Sequence, residues 1–245
     1  MNKVENIIII LAAGKGTRMK SDLPKVLHTI NNMPMIKKVI DTSKQLKPYK
    51  IIVIVGYKKE LVIESINDNT IEYVIQKEQK GTGHAIMQCL PSIENFEGNI
   101  LILSGDVPLI QTQTLLDFIK SHNENNSSAS LISTDLEEPG GYGRIIKNNN
   151  QQLTGIVEHK DATDNEKLIK EINSGIYIFN VNTLKESLLL ITNNNVQKEY
   201  YLTEVFDFID SQTTFVKKIK RSNEILGVNN LEELNELENY TFNEN

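Results

Sequence analysis

The sequence predicts an α/β protein, a mostly parallel sheet with helices on both faces and a β-rich subregion inserted in the second half. Three observations predict it. Apolar runs of strand length, "IIIIL" at Ile7–Leu11, "KIIVIVG" at Lys50–Gly56 and "NILILSGD" at Asn99–Asp106, are continuous rather than alternating, as in strands buried on both faces. Segments with helical spacing lie between such runs. Strand and helix then alternate through the first half, the rhythm of crossover connections in a parallel sheet.

Taken in order, Ile7–Leu11 is the first strand and Met35–Leu46 the first helix, with Ile36, Val39 and Ile40 on one side. Lys50–Gly56 is a strand, Lys58–Ile66 a helix, and "IEYVIQ" at Ile71–Gln76 a shorter strand. Gly81–Leu90 opens a helix, Asn99–Asp106 is the strand that ends on an acid, and Gln111–His122 is helical. The pattern then changes. Ser128–Thr134 reads as a strand, and "EEPGGYGRIIKNNNQQLTGIVEH" sets Gly and Asn turn chemistry between two β-like runs, which predicts a hairpin. Ile172–Asn180 is a strand followed by a helix from Asn182 to about Ile191. Tyr201–Asp210 reads as helical, Thr214–Lys220 as a strand, and Asn229–Tyr240 as a charged amphipathic helix. No repeat or Pro/Ser-rich linker divides the chain, so one domain carrying an insertion is expected.

Composition narrows the function. With 39% hydrophobic and 24% charged residues in a chain of 245, this is the makeup of a globular protein. A net charge of −6 argues against a general nucleic-acid binder, while leaving room for a local basic pocket. Cys89 is the sole cysteine, which excludes an intrachain disulfide and fits a reducing compartment. No segment has the length of a membrane span, and "NIIIILAA" is too short for a signal peptide. A cytoplasmic protein without membrane partners is expected.

In an open α/β sheet, ligands bind beyond the carboxyl ends of the strands. The sequence there is unusual. "LAAGKGTRMKSDLPK", from Leu11 to Lys25, follows the first strand with small residues and then Lys15, Arg18 and Lys25. Gly14 and Gly16 would let backbone N–H groups approach a phosphate, and the cations suit a polyphosphate; a tight turn with solvated charges is the plainer alternative. Met19 stands where a dinucleotide fingerprint needs its third glycine, and no Gly-Lys-Ser/Thr of a P-loop is present. His28, His84, His122 and His159 show no metal-ligand spacing.

The loop resembles the signature of the sugar-phosphate nucleotidylyltransferases and, within them, of the N-acetylglucosamine-1-phosphate uridylyltransferases, the first domain of a bifunctional bacterial enzyme. The resemblance extends through "QKGTGHA" at Gln79–Ala85, "GDVPLI" at Gly105–Ile110, "GYGRI" at Gly141–Ile145, "GIVEHKDAT" at Gly155–Thr163, "EINSGIY" at Glu171–Tyr177, "NNNVQKEYYLTE" at Asn193–Glu204 and "GVNN" at Gly227–Asn230. It implies a Rossmann-like three-layer α/β/α nucleotidyltransferase fold over residues 1–230 with a mixed sheet. A C-terminal helix and polar tail, 231–245, would follow, with no β-helix acetyltransferase domain.

The implied reaction joins UTP and N-acetylglucosamine 1-phosphate to give UDP-N-acetylglucosamine and pyrophosphate. Arg18 and Lys25 are the implied catalytic cations. Leu11, Ala12, Ala13, Gly14, Gln76, Gly81 and Thr82 are the implied nucleotide contacts, and Gly105, Gly141, Glu158 and Asn173 the sugar contacts. Asp106 and Asn229 are the implied Mg²⁺ ligands. Each has a plainer alternative in turn, cap or strand-end chemistry. Where many close relatives have Tyr before the Gly-Asp pair, this chain has Ser104. Another sugar 1-phosphate, or a non-catalytic nucleotide-sugar binding module, are the competing readings, and a monomer or dimer is expected.

Overall fold

A computed structural model describes residues 4–243. The first strand, β1 (Asn6–Ala12), lies between β4 (Lys50–Val55) and β6 (Asn99–Ser104), parallel to both. β5 (Ile71–Ile75) extends the sheet beyond β4, again parallel. On the other side β10 (Glu171–Asn180) runs antiparallel to both β6 and β7 (Ala129–Asp135), and β11 (Thr214–Lys218) is parallel to β7. The order is β11-β7-β10-β6-β1-β4-β5, so β10 is the antiparallel strand of an otherwise parallel path. The hairpin of β8 (Arg144–Lys147) and β9 (Leu153–Val157) joins through β8 to β10. This is the expected mixed, mostly parallel sheet with an inserted hairpin.

The four consecutive isoleucines explain the layers. All are fully buried, but Ile7 and Ile9 enter one core and Ile8 and Ile10 the other, because successive side chains of a strand point to opposite faces. The core under Ile7 and Ile9 is closed by α3 (Thr82–Met87), α6 (Val181–Leu188) and the 3₁₀ segment Leu202–Phe208. The core under Ile8 and Ile10 is closed by α1 (Met35–Gln45), α2 (Lys59–Ile66) and α4 (Thr112–Glu124). Each buried isoleucine contributes roughly 1.5–3 kcal/mol of transfer free energy, so burial on both faces makes β1 the centre of the fold.

Some elements depart from the sequence reading. Tyr201–Asp210 is not an α-helix but a 3₁₀ run over Leu202–Phe208, whose buried residues Leu202, Val205 and Phe206 pack into the core. The third helix stops at Met87, and a separate 3₁₀ turn, Leu90–Ile93, has Pro91 in its first positions, as the missing N–H of proline allows. A hairpin and a short helix were among the elements not foreseen. β2 (Thr29–Ile30) and β3 (Met33–Pro34) pair across Asn31 and Asn32, both at positive φ, the conformation a two-residue hairpin turn requires. α5 (Asp164–Lys167) begins with a capping box between Thr163 and Glu166. The last helix, α7 (Leu231–Asn243), folds back through Leu234 and Leu237 onto Met19, Ile30, Met35 and Val228, bringing its first turn beside the loop after β1.

Candidate active site

The order β5-β4-β1-β6 reverses direction at β1, and in such sheets the crevice beyond the carboxyl ends at that reversal receives ligands. Leu11 pairs with Ser104 at these ends, and the Gly105 N–H donates to the Leu11 carbonyl at 2.9 Å. Two adjoining clefts open there. One, of about 390 Å³, is lined by Leu11–Thr17, Lys25, Gln76, Gln79, Gly81 and Thr82. The other, of about 200 Å³, is lined among others by Gly141, Glu158, Asn173, Tyr177, Thr203 and Asn229. Leu11, Thr82, Ser104 and Asp106 line both, so the seam lies over the ends of β1 and β6.

In the first cleft Ala12 and Ala13 are buried while Gly14 is exposed with nothing near it. Gly16, at φ +66°, does something other than open backbone to a ligand: a Cβ there would lie 2.5 Å from Lys25 Cβ, so the glycine admits the lysine stem. Gln76 is buried at the end of β5. Its Nε2 donates to the Gly81 carbonyl at 3.0 Å and lies 3.1 Å from His84 Nδ1, while Gln79 Nε2 donates to the Gln76 carbonyl at 3.0 Å. The Thr82 hydroxyl accepts from the Leu202 N–H at 3.0 Å.

Three segments far apart in the chain meet at the seam: the loop with Arg18 and Lys25, the end of β6 with Asp106, and the stretch with Val228 and Asn229. The Lys25 ammonium pairs with the Asp106 carboxylate and donates to Asn229 Oδ1 at 3.2 Å. Arg18 Nη2 donates to the same Oδ1 at 2.8 Å. The Val228 N–H donates to the Asp106 carbonyl at 2.9 Å, fixing the two strands of chain side by side. One carboxylate and one amide oxygen thus converge on a cation, here the ammonium of Lys25. That donor set fits a hard divalent cation that takes few protein ligands and completes its shell with water and phosphate. Among the described residues no three His, Cys, Asp or Glu side chains cluster as a metal cage.

In the second cleft the Glu158 Oε1 accepts from the Thr203 hydroxyl at 2.9 Å. Burial raises its pKa, with the Thr203 hydrogen bond opposing and Asp161 and Glu199 adding to the rise. Asn173 Nδ2 donates to the Tyr177 hydroxyl at 2.7 Å, and the Asn173 Oδ1 accepts from the Gly175 N–H at 3.2 Å. Burial pushes the Tyr142 phenol up to about 12; its oxygen accepts from the Gly227 N–H at 3.1 Å and donates to the Gly227 carbonyl at 3.3 Å. Gly105 is buried against Ile36 rather than facing open space, and Gly141 is exposed on the rim.

Gln79 and Thr203, not singled out from the sequence, and Tyr142, expected from it only to pack, adjoin these residues. Gln79 and Thr203 support Gln76 and Glu158, and Tyr142 clasps Gly227. Cys89 is buried and its thiol is pushed up to about 12, so it takes no part as a nucleophile. His122, lowered to about 4 by burial, hydrogen-bonds Ser130 away from the clefts.

A mixed, mostly parallel sheet with a basic, glycine-containing loop at its reversal and a hard-oxygen pair beside it defines an α/β protein whose ligand crevice has the chemistry to receive phosphates. The chain belongs to the nucleotidyl transferase family, whose model matches residues 7–223. It is 47% identical over 232 residues to the bifunctional protein GlmU of Alkaliphilus oremlandii, covering 94% of this chain and 50% of that protein. It is 43% identical over 228 residues to bifunctional protein GlmU of Streptococcus agalactiae, covering 92% and 50%. The chain thus spans about half the length of these curated relatives. A solved UDP-glucose pyrophosphorylase complexed with UDP-glucose superposes with a TM-score of 0.72 at 19% identity, over 99% of this chain and 100% of that one, a likeness of fold. Among the described residues no helix is long and apolar enough to cross a membrane.

Proposed function

We propose that the chain transfers uridylyl from UTP to N-acetylglucosamine 1-phosphate, releasing pyrophosphate. The observation that carries this reading is the seam, where Lys25 meets Asp106 and Asn229 between two clefts and Arg18 joins them from the outer side through Asn229. In this reading the Leu11–Gly14 backbone, Gln76, Gly81 and Thr82 hold the nucleotide. The Gln76 NH₂ is engaged by the Gly81 carbonyl and His84, which leaves its Oε1 to accept from a uracil imide N–H. Glu158 and Asn173 accept and donate to sugar hydroxyl and amide groups, with Gly105 and Gly141 shaping the cleft.

A phosphate oxygen of the sugar 1-phosphate attacks the α-phosphorus of UTP; a P–O bond forms there, and the bond from that phosphorus to the bridging oxygen of the leaving pyrophosphate breaks. The nucleophile is already an anion near neutral pH, so catalysis is positioning and charge stabilisation. Arg18 and Lys25 lower the repulsion between two polyanions. Asp106 and Asn229 would hold Mg²⁺, which when bound neutralises phosphate charge. The test is pyrophosphate release. It should require UTP, N-acetylglucosamine 1-phosphate and a divalent cation, and stop with EDTA. Release that is equal with glucose 1-phosphate would move the reading to a broader sugar, for which the small Ser104 wall shared by both clefts leaves room; no release with any sugar phosphate would leave a binding module.

Glu158 gives a pH prediction. Its raised pKa means that the folded protein holds this proton more tightly than the unfolded chain does. The group's contribution to stability therefore falls as pH rises from the ordinary carboxylate range through the raised value. The ionised form accepts from sugar hydroxyls more strongly than the neutral carboxyl, so affinity for the sugar phosphate is expected to fall as pH drops through the same value. Thr203→Val removes the hydrogen bond that favours ionisation, and should move this acid limb to higher pH while leaving the KM for UTP nearly unchanged. A profile of sugar-phosphate KM against pH that is superimposable on the wild type would remove Glu158 from this role.

A further inference from the structure

The Asn229 carboxamide is held at both ends. Its Nδ2 donates to Glu233 Oε2 at 3.1 Å and to the Gly227 carbonyl at 3.2 Å, while its Oδ1 accepts from Arg18 at 2.8 Å and Lys25 at 3.2 Å. Turned over, the amide would set its NH₂ against two cations and its oxygen against two acceptors, so hydrogen bonding permits one orientation. The same Glu233 oxygen accepts from the Asn229 backbone N–H at 2.7 Å. The other oxygen accepts from Asn230 Nδ2 at 2.7 Å, and the Glu233 N–H donates to Asn230 Oδ1 at 2.8 Å, which caps the start of α7. One carboxylate therefore has two tasks, one on each oxygen. It stands on a helix anchored by Leu234 and Leu237 in a core cluster that also holds Met19, next in sequence to Arg18.

We propose that Glu233 is the positioning residue that aims the Asn229 oxygen at the point where Lys25 and the Asp106 carboxylate meet, so that the first turn of α7 sets the divalent-cation affinity of that oxygen pair. This rests on the reading of Asp106 and Asn229 as cation ligands. Without Glu233 the amide loses an anionic acceptor and is free to rotate, and its oxygen is no longer held toward Asp106. Groups that orient metal ligands in this way change affinity by about 10–100-fold when removed.

The test uses Mn²⁺ alone as the probe, titrated into the full chain and read by water-proton relaxation, with thermal melting beside it. Glu233→Ala and Glu233→Met, two variants that keep good helix formers, should each weaken Mn²⁺ binding about tenfold or more. Glu233→Gln keeps an acceptor oxygen on the same stem and should stay within about threefold of wild type on this argument. Asn230→Ala removes the helix cap but not the hold on Asn229. It should lower the melting temperature and leave Mn²⁺ affinity intact. If Glu233→Ala and Glu233→Met bind Mn²⁺ like wild type while Asp106→Ala and Asn229→Ala do not, the positioning role is overturned and the ligand reading stands. If Asp106→Ala and Asn229→Ala also bind normally, the ligand reading falls and the proposal with it.

Discussion

Arg18→Ala is expected to lower kcat for pyrophosphate release by about 10²–10³-fold, the usual cost of deleting one preorganised charge-stabilising donor, with little change in melting temperature. The two cations of the seam are not equivalent. Lys25 is half-buried and pairs with Asp106, so part of its charge is already answered. Arg18 is exposed, forms no ion pair among the described residues, and donates only to the neutral oxygen of Asn229. In the proposed reaction of two polyanions, a cation without a counter-charge at the edge of the site is the one whose field acts most fully on the developing charge. Its loss costs the fold little because its side chain is not part of the packing. Arg18→Lys restores charge but not a planar fork that meets two oxygens at once, and should fall between the two. A kcat for Arg18→Ala within about threefold of wild type, far short of that expected loss, would assign the charge stabilisation elsewhere.

The contrast between Arg18 and Lys25 also marks what the sequence can convey. Both stand in the loop after β1, and their chemistry is readable from residue type. That Lys25 is paired and Arg18 is not depends on Asp106 and Asn229, which are far away in the chain. The central strands were legible because continuous apolar runs report burial on both faces, as Ile7–Ile10 do. The direction of β10 was not, since a strand's side-chain pattern is the same whichever way it runs. The 3₁₀ run Leu202–Phe208 has the apolar spacing of a helix turn, and its hydrogen-bond pattern is set by packing against the core. The β2–β3 hairpin and α5 were legible in principle, from the Asn-Asn turn and the Thr-x-x-Glu box. Gln79, Thr203 and Glu233 were not, because each acts by touching another site residue, and nothing in a polar side chain announces its neighbour.

Gly81→Ala should cost about 3–5 kcal/mol of stability, as backbone strain and overpacking add, and should weaken both substrates. Gly81 sits at φ +106°, where an L side chain is strained, and a Cβ there would lie 2.4 Å from the Tyr200 carbonyl oxygen and 2.8 Å from its nitrogen. Those are backbone atoms, so no rotamer change relieves the clash. The segment that must move joins the two clefts. The Tyr200 N–H donates to the Lys80 carbonyl at 2.8 Å and the Tyr200 carbonyl accepts from Gly83 at 2.8 Å. The Leu202 N–H donates to Thr82 on the side of the first cleft, and the Thr203 hydroxyl donates to Glu158 on the side of the second. Displacing Tyr200 therefore disturbs Thr82 and Glu158 together, and the KM for UTP and for the sugar phosphate should rise in parallel. Gly140→Ala is the matched control. Gly140 is also left-handed, at φ +50°, but the nearest atom to its added Cβ is 4.0 Å away, so only the conformational cost of about 1–2 kcal/mol remains. Urea denaturation of the two variants separates strain from collision. If Gly81→Ala were no less stable than Gly140→Ala, the 200–203 segment would have to yield freely, and it could not be the rigid bridge between the clefts.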